Sequence, residues 1–315
     1  IYVKIPVSEG RQFKVGKVEI TGDPISVPRQ ELLDRLSIRK KDYYDREAIA
    51  KDLEYLTRMT QNDGYAYAEI NPRTQTNEAE QKVDVAYDIK KGSLVYFNRI
   101  NISGNTKTRD KVIRRQLEFT EGDLYNSDKV KNSYARLNRL RYFEEVNFQT
   151  AKGPEEGLTD INIGVKERPT GLFSIGAGYS GQDGAMLMAQ IAQQNLFGRG
   201  QSLSLQAALG TENSTIDLSF TEPYLFDIPL WMKADIWKST REYDTYDLAT
   251  QGLGLTFGYP IWERVMGYLG YKFAINDVKN VQLLASQTIK DQEGETTQSG
   301  ILTALSRDTT DDAIF

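Results

Sequence analysis

Between Phe173 and Leu305 the chain alternates apolar and polar residues with a period of two, in segment after segment, and few folds tolerate that pattern. Phe173, Ile175, Ala177 and Tyr179 stand opposite Ser174, Gly176 and Gly178; Leu203, Leu205, Ala207 and Leu209 stand opposite Ser202, Ser204 and Gln206. Ile216, Leu218 and Phe220 likewise alternate with Asp217, Ser219 and Thr221, and Leu253, Leu255, Phe257 and Tyr259 with Gly252, Gly254, Thr256 and Gly258. Successive side chains of a strand point to opposite faces, so each segment reads as a strand with one apolar and one small or polar face. Adding Met186 to Leu196, Leu230 to Trp237, Val265 to Ala274 and a weaker Gly300 to Leu305 predicts roughly eight strands, each long enough to cross a bilayer when tilted. Any one of them would also suit a soluble β-sandwich; so many one-faced strands in succession favour a lipid face and a lumen face.

The connections carry a second asymmetry. Leu196 to Gly200, Glu222 to Pro229 and Pro260 to Arg264 are short and rich in Gly, Pro and aromatics, whereas Ser239 to Asp247 and Asn276 to Ser299 are longer and polar. Short turns on one side of a membrane and long loops on the other are the usual arrangement of a barrel. Phe197, Tyr224, Phe226, Tyr259 and Trp262 lie near the turns, where an interfacial aromatic girdle belongs.

Composition removes most alternatives. The 315 residues include no cysteine and no histidine, which excludes disulfides, thiolate nucleophiles, imidazole bases and the commonest transition-metal ligands. No enzyme activity, cofactor or metal is therefore expected. A net charge of -5 with interspersed signs argues against nucleic acid as a partner. No run of about 18 apolar residues marks a transmembrane helix. Ile1 opens inside a strand-like pattern rather than a signal peptide, so the start is expected to be a boundary within a longer protein.

The first half contains a repeat. Glu9-Gly10, Phe13, Val15-Gly16, Val18, Ile20 and Gly22-Asp23 return about 82 residues later as Lys91-Gly92, Val95, Phe97, Ile100, Ile102 and Gly104-Asn105. Each copy continues with a short helical pattern (Leu32, Leu33, Leu36; Val112, Ile113, Leu117) and then a second helix opening at Asp45 or Ser127. Two strands close each copy: Tyr65 to Ile70 and Val83 to Ile89, then Tyr142 to Phe148 and Ile161 to Val165. The predicted unit is β-α-α-β-β, an α+β fold, and the spans are 11–91 and 92–168. Tyr2, Val3, Ile5 and Val7 match the last strand of such a unit, so residues 1–10 are expected to end a further repeat upstream. The two repeats are expected to fold separately and to pivot about Lys90 to Leu94, a short glycine-containing link. Pro169, after Lys166-Glu167-Arg168, marks the change to the barrel segment 169–315.

Gly22-Asp23, Gly104-Asn105, Gly64-Tyr65-Ala66-Tyr67-Ala68-Glu69-Ile70 and Arg136-Leu137-Asn138-Arg139-Leu140-Arg141-Tyr142-Phe143-Glu144 resemble POTRA domains. Gly176-Ala177-Gly178-Tyr179, Asn195-Leu196-Phe197-Gly198-Arg199-Gly200-Gln201 and Thr221-Glu222-Pro223-Tyr224 resemble the barrel of the BamA family. The likeness covers nearly the whole chain. The family's barrel has about sixteen strands, so the chain is expected to hold its first half and stop after strand eight.

The resemblance implies assembly of β-barrel proteins in the outer membrane of a Gram-negative bacterium, with the POTRA repeats in the periplasm. The implied partners are unfolded outer-membrane proteins, lipoprotein subunits of the assembly complex and outer-membrane lipid. POTRA edge strands would receive clients by backbone pairing, with Tyr65, Ala66, Tyr67 and Ala68 and then Tyr142, Phe143, Glu144 and Glu145 as candidates. Leu172, Phe173, Ser174, Ile175, Gly176, Ala177, Gly178 and Tyr179 match the first barrel strand, whose edge would template client strands. Gly171, Gly176 and Gly178 either loosen that strand or allow the barrel to curve. Arg114 and Glu121 match charges that contact a lipoprotein partner. The alternatives are a TamA-type assembly factor and a two-partner secretion pore. A barrel phospholipase, from a different class, needs a histidine that this chain does not have. Phe315 is read as an accident of truncation, and Asp308, Asp311 and Asp312 as a solvated turn rather than a calcium loop.

Overall fold

The structure, a computed structural model, describes residues 11–181 and 184–309. The expected upstream strand within residues 1–10, and the terminal residues Asp311, Asp312 and Phe315, lie outside that range. The chain divides into two compact units: Asn105–Val112 belongs with the chain from Glu167 onward, and the rest of the first half forms the other.

Both repeats take the β-α-α-β-β order. The first runs β1 (Lys14–Gly22), α1 (Arg29–Arg35), a 3-10 turn at Ile38–Lys40, α2 (Arg46–Asn62), β2 (Glu69–Asn77) and β3 (Lys82–Lys90). The second runs β4 (Tyr96–Ser103), α3 (Asp110–Arg114), α4 (Ser127–Arg139), β5 (Phe143–Lys152) and β6 (Leu158–Glu167). The helices between the first and last strands form a crossover long enough to bring those strands together in parallel. The sheets accordingly have the orders β1-β3-β2 and β4-β6-β5, with the last strand at the centre of each. The repeated Gly22 and Gly104 explain themselves here. Both have positive φ, at 84° and 86°, and an added Cβ would lie 2.1 Å from the Ile89 carbonyl oxygen and 1.9 Å from that of Val165. Only glycine fits so close to the neighbouring backbone.

Asp45 caps α2 by accepting from the amides of Glu47 and Ala48, as the sequence predicts. The cap of α4 is Asn126, one residue before the predicted Ser127; its side-chain Oδ1 accepts from Lys129 N at 2.9 Å.

The two cores share a polar pin that periodicity does not reveal. Asp52, buried on α2, accepts from the amides of Ser37 and Ile38 and from the Tyr87 hydroxyl at 2.9 Å. At the equivalent place on α4, buried Ser133 accepts from Glu118 N at 2.8 Å and donates to Lys129 O at 2.6 Å. Burial drives the Tyr87 hydroxyl well above its usual pKa, and hydrogen bonding to Asp52 adds to the shift, so it remains a donor. The second core also stacks Phe97 on Phe119, with ring centroids 4.4 Å apart.

The link expected to pivot is spanned by hydrogen bonds. Asn62, at the end of α2, accepts from Ser127 Oγ at 3.0 Å and Asp128 N at 3.1 Å, and donates to Asp128 Oδ2 at 2.6 Å. Val95 N donates to Gly64 O at 2.9 Å. Leu124 also packs over Gly64, and both repeats fall in one compact unit.

The second unit holds eight antiparallel strands in sequential order. They are β7 (Gly171–Ser180), β8 (Gly184–Leu196), β9 (Gln201–Gly210), β10 (Asn213–Glu222), β11 (Trp231–Tyr243), β12 (Tyr246–Trp262), β13 (Val265–Lys279) and β14 (Gly294–Arg307), with the short helix α5 (Gln287–Lys290) before the last. The sheet is a partial barrel and does not close. Register confirms the faces read from the sequence. One row runs Phe173, Ile191, Leu205, Leu218, Ile236, Leu253, Phe273, Ser299 across all eight strands. The adjacent row runs Ser174, Gln190, Gln206, Asp217, Trp237, Gly252, Ala274, Gln298 on the opposite face. The apolar row is exposed, with Phe173 at 66% and Leu253 at 49%, so it is not the core of a sandwich.

One predicted loop is corrected. Ser239 to Asp247 is mostly strand: β11 and β12 continue through it to a two-residue turn, with Tyr243 stacked on Tyr246 at 4.6 Å. Polar residues such as Ser239 and Thr240 bond to Thr215 and Ser214 across the ladder, so the strands extend without an apolar face. The other long connection is a loop from 280 to 293 that contains α5.

Candidate functional site

A strand at the end of a sheet keeps one row of backbone N–H and C=O groups unpaired. β7 is such a strand: among the described residues it pairs with β8 alone, from Gly171 opposite Gln193 to Ser180 opposite Gly184. Its side chains are exposed, Leu172 at 50%, Ile175 at 66% and Tyr179 at 82%. All eight sequence-predicted residues, Leu172 to Tyr179, therefore fall on one free edge.

Two of the three glycines of β7, Gly176 and Gly178, have no steric reason to be glycine. An added Cβ at Gly176 would sit 3.9 Å from Met188 Cε and one at Gly178 3.6 Å from Met186 Cγ, both ordinary contacts. Neither residue has positive φ. Both readings of them therefore stand: curvature of the sheet, or the higher conformational entropy that glycine loses on pairing, which weakens a strand by roughly 0.5–1 kcal/mol per residue.

The repeats present further edges, displaced from the expected residues. β2 and β5 are the outer antiparallel strands of their sheets. Tyr65, Ala66, Tyr67 and Ala68 precede β2 in a turn: Tyr65 N donates to Thr60 O, Ala68 N to Tyr65 O, and Tyr67 Oη to Thr159 Oγ1. The free edge is Glu69–Asn77, and it tolerates Pro72 because an outer strand can forgo a ladder donor. In the second repeat Tyr142 precedes the strand; Phe143, Glu144 and Glu145 lie within it. Tyr142 and Phe143 are buried, and Glu144 pairs with Lys166 at 2.7 Å.

Arg114 and Glu121 meet. Arg114 Nη1 lies 2.9 Å from Glu121 Oε1, and its Nη2 donates to Ile100 O at 2.8 Å. The Glu121 carboxyl is held below the usual carboxylate range by its own backbone N–H and by Arg114. Both side chains are about two-fifths exposed, so the pair contributes little to stability and stays accessible. Among the described residues no cluster of three acidic groups is placed to hold a metal, and no helix is long and apolar enough to cross a membrane.

Comparison with known proteins assigns the class. Residues 195–315 match the Omp85 superfamily domain, and residues 13–92 and 95–168 match the POTRA family, described as a surface antigen variable number repeat. The chain belongs to the Omp85 superfamily, with two POTRA repeats ahead of its membrane domain. Within that superfamily the likeness is to BamA. It is 34% identical, over 99% of its length, to the outer membrane protein assembly factor BamA of Nitratidesulfovibrio vulgaris, and 33% identical over 83% to that of Neisseria meningitidis. It spans 40% and 34% of those two proteins. The fold agrees with the crystal structure of BamA from Haemophilus ducreyi lacking POTRA domains 1-3, at a TM-score of 0.76 and 23% identity, over 96% of this chain and 61% of that one. CdiB from Escherichia coli superposes less well, at 0.50 and 14% identity.

Proposed function

We propose that this chain is the part of an outer-membrane β-barrel assembly factor that receives clients and begins their membrane insertion. It resides in the outer membrane with its repeats in the periplasm. The observation that carries the reading is β7 itself, the first strand of the sheet, whose Gly176 and Gly178 no neighbour requires and which stands beside a continuous apolar face. Lipid cannot satisfy backbone polar groups, so a client strand must find its partners on protein as it enters. β7 offers a row of them in fixed register, and no covalent chemistry is required. The edges of β2 and β5 supply the same kind of pairing in the periplasm with little demand on client sequence. Lipoprotein subunits of an assembly complex are the proposed partners of Arg114 and Glu121.

The test uses the longer protein with single cysteines at Ser174 or Gly176 of β7, and at Gln206 and Asp217 on the same face of the inner strands β9 and β10, against cysteines in the last strand of a client arrested during assembly. Opposed residues of an antiparallel pair hold Cα atoms about 4.5 to 5.5 Å apart, within disulfide reach. Templating predicts crosslinks to β7 in one register. Crosslinks confined to Gln206 and Asp217 would identify a secretion pore instead.

A further inference from the structure

β7 is not equally free along its length. At its start Thr170 O accepts from Gln194 N at 3.0 Å and Thr170 Oγ1 accepts from Gln193 Nε2 at 2.7 Å. Three residues earlier, Glu167 takes four hydrogen bonds from one loop. Oε1 accepts from Thr108 N at 2.6 Å and Oε2 from Lys107 N at 2.9 Å and Thr106 Oγ1 at 2.8 Å; the Thr108 hydroxyl adds the fourth. Desolvation opposes ionisation there, yet these donors hold the carboxyl at about 2.

The same loop grips the end of β8. Asn195, 8% exposed and at φ 54°, donates from Nδ2 to Thr108 Oγ1 at 2.8 Å, and its Oδ1 accepts from Gly200 N at 2.8 Å. Gly198 O accepts from Arg109 N at 2.9 Å. Gly198 has φ 69°, and a Cβ there would lie 1.9 Å from the Lys107 carbonyl oxygen. All of these residues belong to the second unit, which includes Asn105–Val112. The Lys111–Asp227 ion pair lies in the same unit, but both side chains are mostly exposed and it contributes little. The far end of β7 has Gly176 and Gly178, unconfined by neighbours, and the exposed Tyr179.

We propose that Glu167, Asn195 and Gly198 are positioning residues that clamp the base of β7 to β8, so that the strand opens from its Gly178–Tyr179 end while Leu172 and Phe173 stay paired. The inference rests on the reading of β7 as the pairing edge. A strand that slips by one residue turns every side chain to the wrong face, and a fixed base denies it that slip while the tip exchanges partners.

The test is amide hydrogen exchange along β7 in the intact, membrane-embedded protein, corrected for intrinsic rates, with Asn195→Ala, Gly198→Val and Glu167→Gln. In the parent protein whichever of Leu172 and Phe173 donates its amide to β8 should exchange at least roughly tenfold more slowly than whichever of Gly178 and Tyr179 does so. The variants should remove most of that difference by accelerating the base, leaving the β11–β12 ladder protected. Uniform exchange along β7 in the parent, an unchanged gradient in the variants, or protection lost equally across β11 and β12 overturns the proposal. No client is needed, so the two readings fail separately: a flat gradient with β7 crosslinks removes only the clamp, and an intact gradient without them removes only the templating.

Discussion

Replacing Gly176 and Gly178 together by alanine tests the link between strand strength and function. At each position the new methyl meets methionine side chains no closer than 3.6 Å, and no positive φ has to be relieved. The dominant effect is the smaller backbone entropy lost on pairing, about 0.4–1 kcal/mol per site. The double variant should therefore stabilise the β7–β8 ladder by about 1–2 kcal/mol, which reduces the population of β7 detached from β8 roughly 5- to 30-fold. If opening limits assembly, the rate at which the purified longer protein folds a client into vesicles should fall by the same factor. Hydrogen exchange at Gly178→Ala and Tyr179 should slow in parallel. Slowed exchange with an unchanged assembly rate would refute the argument that release of β7 from β8 limits assembly. Unchanged exchange would refute the entropic argument itself.

Other outcomes follow from particular contacts. Asp52→Ala leaves two buried amides and the Tyr87 hydroxyl without an acceptor, so urea unfolding should show a loss of about 3 kcal/mol; Ser133→Ala, which strands one amide, should lose about 1 kcal/mol. Leu253→Lys, in the apolar row, should destabilise the membrane-inserted sheet by about 2–4 kcal/mol, seen as loss of the folded band on unheated gels, while Gln206→Lys on the opposite face should leave it in place. Glu167 has a depressed folded-state value, so its contribution is present above its unperturbed 4.5 and disappears as pH falls towards about 2. Parent protein and Glu167→Gln should accordingly differ in exchange at the base of β7 near neutral pH and converge near the acid limit.

What the sequence discloses depends on whether a residue's role is written in its neighbours. The strand faces are legible because Phe173, Leu205 and Leu253 each sit in a local alternation that burial or lipid enforces. The repeat is legible because Gly22 and Gly104 each stand beside another strand's carbonyl, where no other residue fits. β2 is hardly visible: almost all of Glu69–Asn77 faces solvent on both sides, so its strand has no apolar period, and the edge is read too early, at Tyr65 to Ala68. The extension of β11 to Tyr243 is hidden for the same reason. The grip of Asn195 on Thr108 joins residues 87 apart in sequence. The segment Asn195 to Gly200 stands out only as a family likeness, and no local pattern gives its partner.

The buried pins of the two repeats carry a consequence for recombining them. Where the first repeat opposes Asp52 on its helix with Tyr87 on its central strand, the register of the second places Ser133 on the helix and Ile163 at the matching strand position. In the first repeat the carboxylate and the hydroxyl bond to each other, whereas in the second Ser133 bonds to Glu118 N and Lys129 O and the strand position is hydrocarbon. A lone Ser133→Asp would bury an anion without the tyrosine donor, and a lone Ile163→Tyr would bury a hydroxyl without its carboxylate acceptor. Helix and strand thus form one inherited pair. Chimeras that join α4 of one repeat to the last strand of the other should fold poorly, whereas exchange of whole repeats keeps each combination intact.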